Sequence, residues 1–327
     1  MASANNSKQT VAVIGAGMTG ITCARALYVA GYDVTVFEKS RGLGGRMATR
    51  RVGKTLTIDH GAQFITARSD AFKSFMQRAC KAGTAEIWQP RLGEDEEAVD
   101  DDWYVGRPRM NSFLKPLAQG LNIREKATVS TITRDWQGWR ITFAKGEPET
   151  FDRVVCTTPV DQARTLLATE PHIIETIKDV TVAPCWALLM ASEARLRVDG
   201  DVLRAPTDDI AWMARNDTKP GRGAAGSVWV VHASVDWSRK NLEMDKDDAI
   251  DALLALVGKV TGGKLPTTTY ESSHRWRYAQ TENPLGQPFV ATDDGTLYVG
   301  GDWCLGARVE YAFESGNAIA AALIEAV

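Results

Sequence analysis

Gly15, Gly17 and Gly20 stand at G-x-G-x-x-G spacing, and an acid, Glu38, closes the apolar run that follows. Those residue types serve one chemistry well. The first glycine permits a tight turn, the second lets backbone approach a pyrophosphate, and the third lets a helix pack closely on a strand. Phosphates would rest on the free N–H groups of the helix start. The Glu38 carboxylate would accept the hydroxyls of an adenosine ribose. A second glycine-rich turn, RGLGGRMATR, begins almost at once. Gly42, Gly44 and Gly45 would let that loop lie flat against an extended cofactor, and Arg46 can offer a bidentate fork to pyrophosphate. Arg41, Arg50 and Arg51 read as ordinary basic loop residues.

The chain has four histidines. His172 follows a proline in a polar stretch and reads as exposed. His232 lies in the apolar run VWVVHAS, where a lone His is by default a satisfied core residue. His274 precedes Arg275-Trp276-Arg277-Tyr278. Strand alternation would put His274, Trp276 and Tyr278 on one face and Arg275 and Arg277 on the other. The first face suits a planar ring; the second suits phosphates or solvent. Most of the ten tryptophans read as core, with Trp276 and Trp303 set apart from them. No Ser-His-Asp set or metal-ligand cluster is visible, and no metal is expected.

Positioning those residues requires particular elements. TVAVI is a short buried strand, MTGITCARALYVAG a helix stopped by Gly31, and DVTVFE a second strand. MNSFLKPLAQG reads as a helix, ATVSTITRDWQGWRITF as a β-hairpin turning near Gln137-Gly138, and FDRVVCTTP as a strand stopped at Pro159. Between about 165 and 280, PCWALLMAS, DIAWMAR, GSVWVVHAS and TTTYESSHRWR alternate as strands, with a helix near Lys246 to Val257. That is an antiparallel sheet with a covering helix. LYVGGD is a final strand, and AFESGNAIAAALIEAV a final helix burying Ala312, Ile319, Ala320 and Leu323. The acidic run EDEEAVDDD reads as a solvated loop.

E-K-S-x-G-L-G-G-R-M resembles the second fingerprint of the flavin amine oxidase superfamily. GGDWCLGARVEYAFESGNAIA is similar to that superfamily's C-terminal flavin segment. IDHGAQFIT, VVHASV and HRWRYAQ resemble segments of the renalase family within it. The resemblance implies a two-domain α/β flavoprotein: a Rossmann-like FAD-binding domain of residues 1–66, 104–163 and 285–327, and an antiparallel-sheet substrate domain of residues 67–103 and 164–284. It implies FAD contacts at Gly15, Ala16, Gly17, Thr19, Gly20, Glu38, Gly45, Arg46, His60, Gly61, Ala62, Gln63, Val129, Asp302 and Val309. Val129 would lie near the adenine and Asp302 by the ribityl phosphate. The last helix would aim its positive end at the flavin pyrimidine. His232 and Trp276 would face the flavin as the reacting pocket, with Tyr278, Trp303 and His274 lining it. Cys304 directly follows Asp302-Trp303, away from where covalent family members attach FAD, so the FAD should be non-covalent.

For function, the resemblance implies an oxidase of isomeric dihydronicotinamide dinucleotides, reduced at ring carbon 2 or 6. The products would be NAD(P)+ and, from oxygen, hydrogen peroxide. Hydride loss makes the ring an aromatic pyridinium, so the protein must stack and orient it without removing a proton. The Arg275/Arg277 edge favours such a phosphate-bearing substrate over an amine or a carotenoid, the substrates of the alternative flavin amine oxidase or desaturase. A binding protein of the same fold without redox activity, like the Rab GDP-dissociation inhibitors, is disfavoured by the intact glycines. The net charge of -3 is no footprint of a nucleic-acid binder. No apolar run is long enough to cross a bilayer. The polar start MASANNSKQT reads as a loose tail without a secretion signal, and five scattered cysteines fit a reducing cytoplasm.

Overall fold

A computed structural model describes residues 8–94, 101–223 and 226–326. The body of the expected loose tail and of the expected acidic loop lies outside the described residues. The chain divides into two compact units: Met1–Gly45, Leu114–Val182 and Thr281–Val327 form the first, Arg46–Phe113 and Ala183–Gln280 the second.

The first unit is a doubly wound sheet. Its strand order is Val290–Ala291, Leu297–Val299, Arg153–Cys156, Thr10–Ile14, Asp33–Glu38, Asn122–Glu125. All neighbours run parallel except the Val290–Ala291 edge. Strands buried on both faces need continuous apolar sequence, which TVAVI and DVTVFE supply. The chain leaves Thr10–Ile14 toward one side and returns on the other. This places a topological switch point at that strand's carboxyl end, where open α/β sheets hold ligands. A three-stranded antiparallel sheet of Val129–Asp135, Gly138–Phe143 and Glu149–Phe151 shares the core of Phe37, Trp139, Val154 and Ile177. The final strand, Leu297–Val299, ends three residues before the expected Asp302, and the final helix, Val309–Glu325, begins three residues before the expected Ala312; it buries Ile319, Ala320 and Leu323, with Ala312 half-buried. The expected helix from Met110 is a 3-10 turn, Met110–Leu114, running into one helical turn, Lys115–Ala118.

The second unit is an antiparallel sheet ordered Val202–Thr207, Ile210–Arg215, Ser227–Ala233, Thr181–Ser192, Thr268–Asn283. Alternation sorts its side chains cleanly. Trp186, Leu188, Met190, Trp229 and Val231 pack under the helix Lys246–Val260 through Ala249, Leu253 and Val257. Ala187, Leu189, Val228 and Val230 face the other way, onto Ile58. A one-residue register slip would exchange these two sets. Asp245 caps the covering helix by accepting the Asp247 N–H at 3.0 Å.

The unit boundaries differ from those expected. Residues 46–66 and 104–113 fall in the second unit, and 164–182 and 281–284 in the first; Asp59 ties the 46–66 segment into the second unit. Its carboxylate meets Arg222 at 2.5 Å and Lys219 at 3.5 Å, and its N–H donates to Asn216 Oδ1 at 3.1 Å. Among the described residues, no helix is long and apolar enough to cross a membrane.

Candidate functional site

In the first unit the site is a glycine cradle. Gly20 is required by close approach, because a Cβ there would collide with the Gly15 carbonyl oxygen and come within 2.8 Å of Thr157 Oγ1. Gly17 caps the helix Met18–Val29 without a side-chain bond, and Thr19 lies buried in its first turn. The N–H groups of that turn therefore remain available to an anion. A Cβ at Gly17 would meet nothing within 4 Å, so the space beside it is open to a phosphate.

The second glycine turn closes on the first. Gly44 donates its N–H to the Ala16 carbonyl at 2.9 Å, and Gly45 lies against Gly17. Both have positive φ, +113 and +52, which favours glycine. Buried Glu38 locks the same loop: Oε2 accepts the Ala16 N–H at 2.9 Å and Oε1 the Ser40 N–H at 2.7 Å. Each carboxylate oxygen keeps a lone pair for a ribose hydroxyl. Ala127 donates to the Glu38 carbonyl at 2.9 Å, so the segment entering Val129 runs beside this acid. Asp302 is buried in the 3-10 turn Asp302–Cys304, and the final helix begins at Val309 with no side-chain cap. These residues fit an extended dinucleotide.

The second unit holds the aromatic candidates. Gly61 must lack a side chain, since a Cβ would strike the Arg46 carbonyl oxygen, which also accepts the Ala62 N–H at 2.9 Å. Arg46 donates to the Ala279 carbonyl at 3.2 Å. Trp276 Nε1 donates to the His60 carbonyl at 2.8 Å, and the two rings stack at 5.2 Å and 25°. His274 sits edge-on to both, 4.7 Å from His60 and 4.2 Å from Trp276. The sequence reading thus named three residues that the fold gathers. Tyr278 is half-buried two residues further along the strand.

His60, His232 and His274 are all held neutral. Burial pushes His60 down to about 4, with help from the Arg50 charge. Burial takes His232 to about 4, opposed by the His60 backbone and assisted by Lys219. Burial and the His60 and Arg50 charges take His274 to about 3. His232 pairs across the sheet with Ala187 on one side and Trp212 on the other.

The spacing of residues could not reveal the polar base beneath this wall. Burial would raise the Asp59 carboxyl, but Lys219 and Arg222, with hydrogen bonds from Thr49 and Arg222, hold it low. Burial pushes Lys219 down to about 8. Lys219 also donates to Gln63 Oε1 at 2.9 Å, and Gln63 Nε2 donates to the Asp59 and Gly61 carbonyls at 2.7 and 2.9 Å. The cluster thereby fixes the loop that carries His60, Gly61, Ala62 and Gln63. Phe64, Trp103 and Trp212 were also missed. Phe64 stacks on Trp103 at 4.1 Å and 10°, and Trp212 lies 5.5 Å from Phe64.

Three expectations change. Trp303 is enclosed in the first unit's core, 1% exposed, and donates Nε1 to the Thr158 carbonyl at 3.1 Å. It has no face left for a substrate. Arg275 and Arg277 are engaged by Glu243: Arg277 bidentately at 2.6 and 2.7 Å, Arg275 at 3.3 Å, with a further bond from Arg275 to the Leu242 carbonyl at 2.7 Å. That edge is thus committed to Glu243 and the Leu242 carbonyl and not to the phosphates of a substrate. The domain limits move as described above. Cys304 is buried and its thiol pushed up to about 12, which makes it a poor nucleophile for a cofactor.

The profile of a family described as NAD(P)-binding Rossmann-like domain matches residues 13–79. That of a family described as flavin containing amine oxidoreductase matches residues 72–324, most of the chain. The flavin-containing monooxygenase FMO GS-OX2 of Arabidopsis thaliana is 27% identical over 168 residues, 47% of this chain and 36% of that protein. A 4,4'-diapophytoene desaturase of Staphylococcus haemolyticus is 35% identical over 71 residues, 22% of this chain and 14% of that protein. The chain thus spans about a third or less of these curated relatives. The cyclohexylamine oxidase of Brevibacterium oxydans superposes with a TM-score of 0.74 at 13% identity, over 97% of this chain and 99% of that one. At that identity the likeness is one of fold.

Proposed function

The chain belongs to the flavin containing amine oxidoreductases, and from that membership we propose that it is an FAD-dependent oxidase of isomeric dihydronicotinamide dinucleotides. FAD is its cofactor. The reading is carried by the ring box of His60, His274 and Trp276, whose histidines stay neutral at physiological pH. A box of neutral rings can flank and orient a flat dihydropyridine. It offers no group tuned to accept a proton near pH 7, and the proposed reaction releases none to a base.

Bound FAD supplies a two-electron acceptor whose electrons oxygen collects as hydrogen peroxide. The chain's own residues do the rest. The loop locked by Glu38 and Gly44 holds ribose and pyrophosphate. The stack of Trp276 on His60 fixes the plane against which the substrate ring lies. The Nε1 bond to the His60 carbonyl stops Trp276 from rotating. His232 is a neutral contact, and the aromatics exclude water from the reacting carbon. Val129, Asp302 and Val309 serve the cofactor, and oxygen and the dinucleotide are the small-molecule partners.

The test is anaerobic mixing of the yellow holoprotein with each dihydronicotinamide isomer, then with simple primary amines. Rapid bleaching by the 2- or 6-dihydro isomer is expected. Trp276→Ala should slow it by about a hundredfold, the cost of a misplacement of about 1 Å, with the spectrum of bound FAD little changed. His232→Ala should retain turnover with a milder loss. Bleaching by amines alone would transfer the assignment to amine oxidation. A wild-type rate in Trp276→Ala would remove the ring box from the site.

A further inference from the structure

Trp212 and His232 are direct partners across two neighbouring strands, so their side chains leave the same face of the sheet side by side. The Trp212 Nε1 and His232 Nε2 atoms are both buried and have no hydrogen-bond partner among the described residues. Each such atom forfeits the hydrogen bonds it would make in water, and two at adjacent positions call for a common explanation. The indole N–H can only donate. His232 is neutral, so one ring nitrogen carries a proton and the other accepts. The His60 carbonyl lies by the ring and, with Nε2 unpartnered, draws the proton to Nδ1. Nε2 is left as an acceptor. The pair therefore presents one donor beside one acceptor.

We infer that Trp212 and His232 form a subsite for a planar primary carboxamide, whose oxygen accepts from Trp212 Nε1 and whose NH2 donates to His232 Nε2. A carboxylate or phosphate would set a lone pair against Nε2 and is rejected. A methyl ketone would satisfy Trp212 alone. The surroundings suit an amide on a flat ring. Phe64 and Trp103 flank Trp212, the latter at 5.8 Å, while the His60 carbonyl that faces His232 also holds Trp276. This inference rests on the dinucleotide reading and sharpens it. The carboxamide is the one substituent on the nicotinamide ring besides the sugar, and gripping it decides which edge of the ring is presented.

The experiment compares an isomeric dihydronicotinamide dinucleotide with its 3-acetyl analogue. The half-saturating concentration for flavin reduction is read under nitrogen. In the wild-type holoprotein the acetyl analogue should need about tenfold more, about 1.4 kcal/mol for one orphaned acceptor. His232→Leu should abolish that discrimination by weakening the amide alone. Trp212→Phe should weaken both ligands by a similar factor and preserve their ratio. Equal half-saturation of amide and ketone in the wild type overturns the inference, and needs no variant to fold. If neither compound reduces the flavin, the dinucleotide reading fails by itself. The subsite is then read by calorimetry with nicotinamide and 3-acetylpyridine. Tighter binding of nicotinamide sustains the subsite, and equal or absent binding removes it.

Discussion

Replacing Asp59 with Asn should cost the protein more than any single surface change. The side chains of Asp59, Lys219 and Arg222 are at most 1% exposed, and the one carboxylate serves both cations at 3.5 and 2.5 Å. Removing one partner from a buried ionic group costs roughly 3–5 kcal/mol, because the orphaned charge stays buried. At about 2 °C per kcal/mol for a chain of this size, the melting temperature should fall by about 6–10 °C. Lys219 makes that figure depend on pH. Burial already holds it at about 8, and without Asp59 it falls further. At pH 9 the amine is neutral in both proteins, and only Arg222 is orphaned. At pH 6 the parent keeps Lys219 charged against Asp59, and the variant must bury that charge alone or give up the proton. The loss should therefore be larger at pH 6 than at pH 9. Thermal denaturation of the holoprotein at both values, followed by circular dichroism, measures it. Lys219→Met in the Asp59→Asn background should recover part of the loss at pH 6. If Asp59→Asn melts within about 2 °C of the parent at both pH values, the carboxylate is not what holds the two cations and the burial argument is wrong.

Glu38→Ala should weaken FAD retention by at least tenfold while the protein stays folded. It frees the Ala16 and Ser40 N–H groups as well as the ribose, and each bond to a carboxylate is worth about 1.5–3 kcal/mol; unchanged flavin in the filtrate after dilution and ultrafiltration would place the ribose elsewhere. Stability should also decline in acid through His60, His232 and His274. Their folded values lie at about 4, 4 and 3, below the unfolded 6.5, so their contribution is complete above about pH 6.5 and is lost as pH falls toward 3 to 4. A His274→Gln variant should show a flatter decline in urea titrations between pH 7 and 4, and an unaltered slope would mean that this ring charges freely in the folded state.

The first unit was legible because its signals are local. Strand, glycine turn, helix, strand and acid follow one another within Thr10–Glu38, and each needs only its neighbours to be recognised. His274 and Trp276 were legible for the same reason, being two residues apart on a strand. What failed was long-range. Lys219 and Arg222 stand in NDTKPGRG, which reads as a solvated basic turn, and nothing there announces a carboxylate at Asp59. The available clue was an acid closing the short strand LTID, whose buried carboxylate needed a cationic partner. Trp303 failed because a Trp after a Gly-Gly-Asp turn looks the same whether its ring enters a pocket or a core. Trp212 and Phe64 carry no motif, and only strand pairing and loop placement bring them beside His232 and each other.

The side-by-side placement of Trp212 and His232 has a consequence for how such a protein can change over generations. Faces of a strand alternate, so pocket and core are the even and odd members of one sequence. Deleting a single codon ahead of His232 within its strand would swing the imidazole into the layer of Trp186 and Leu253, and bring Val231 to the face that now carries His232 and Trp212. Recognition and stability would be lost together, and no second substitution at either position would restore both. Length change in this strand is tolerable only in pairs, or where a bulge absorbs the extra residue. The irregular pairing between Ile210 and Trp212 on the adjacent strand is such a place.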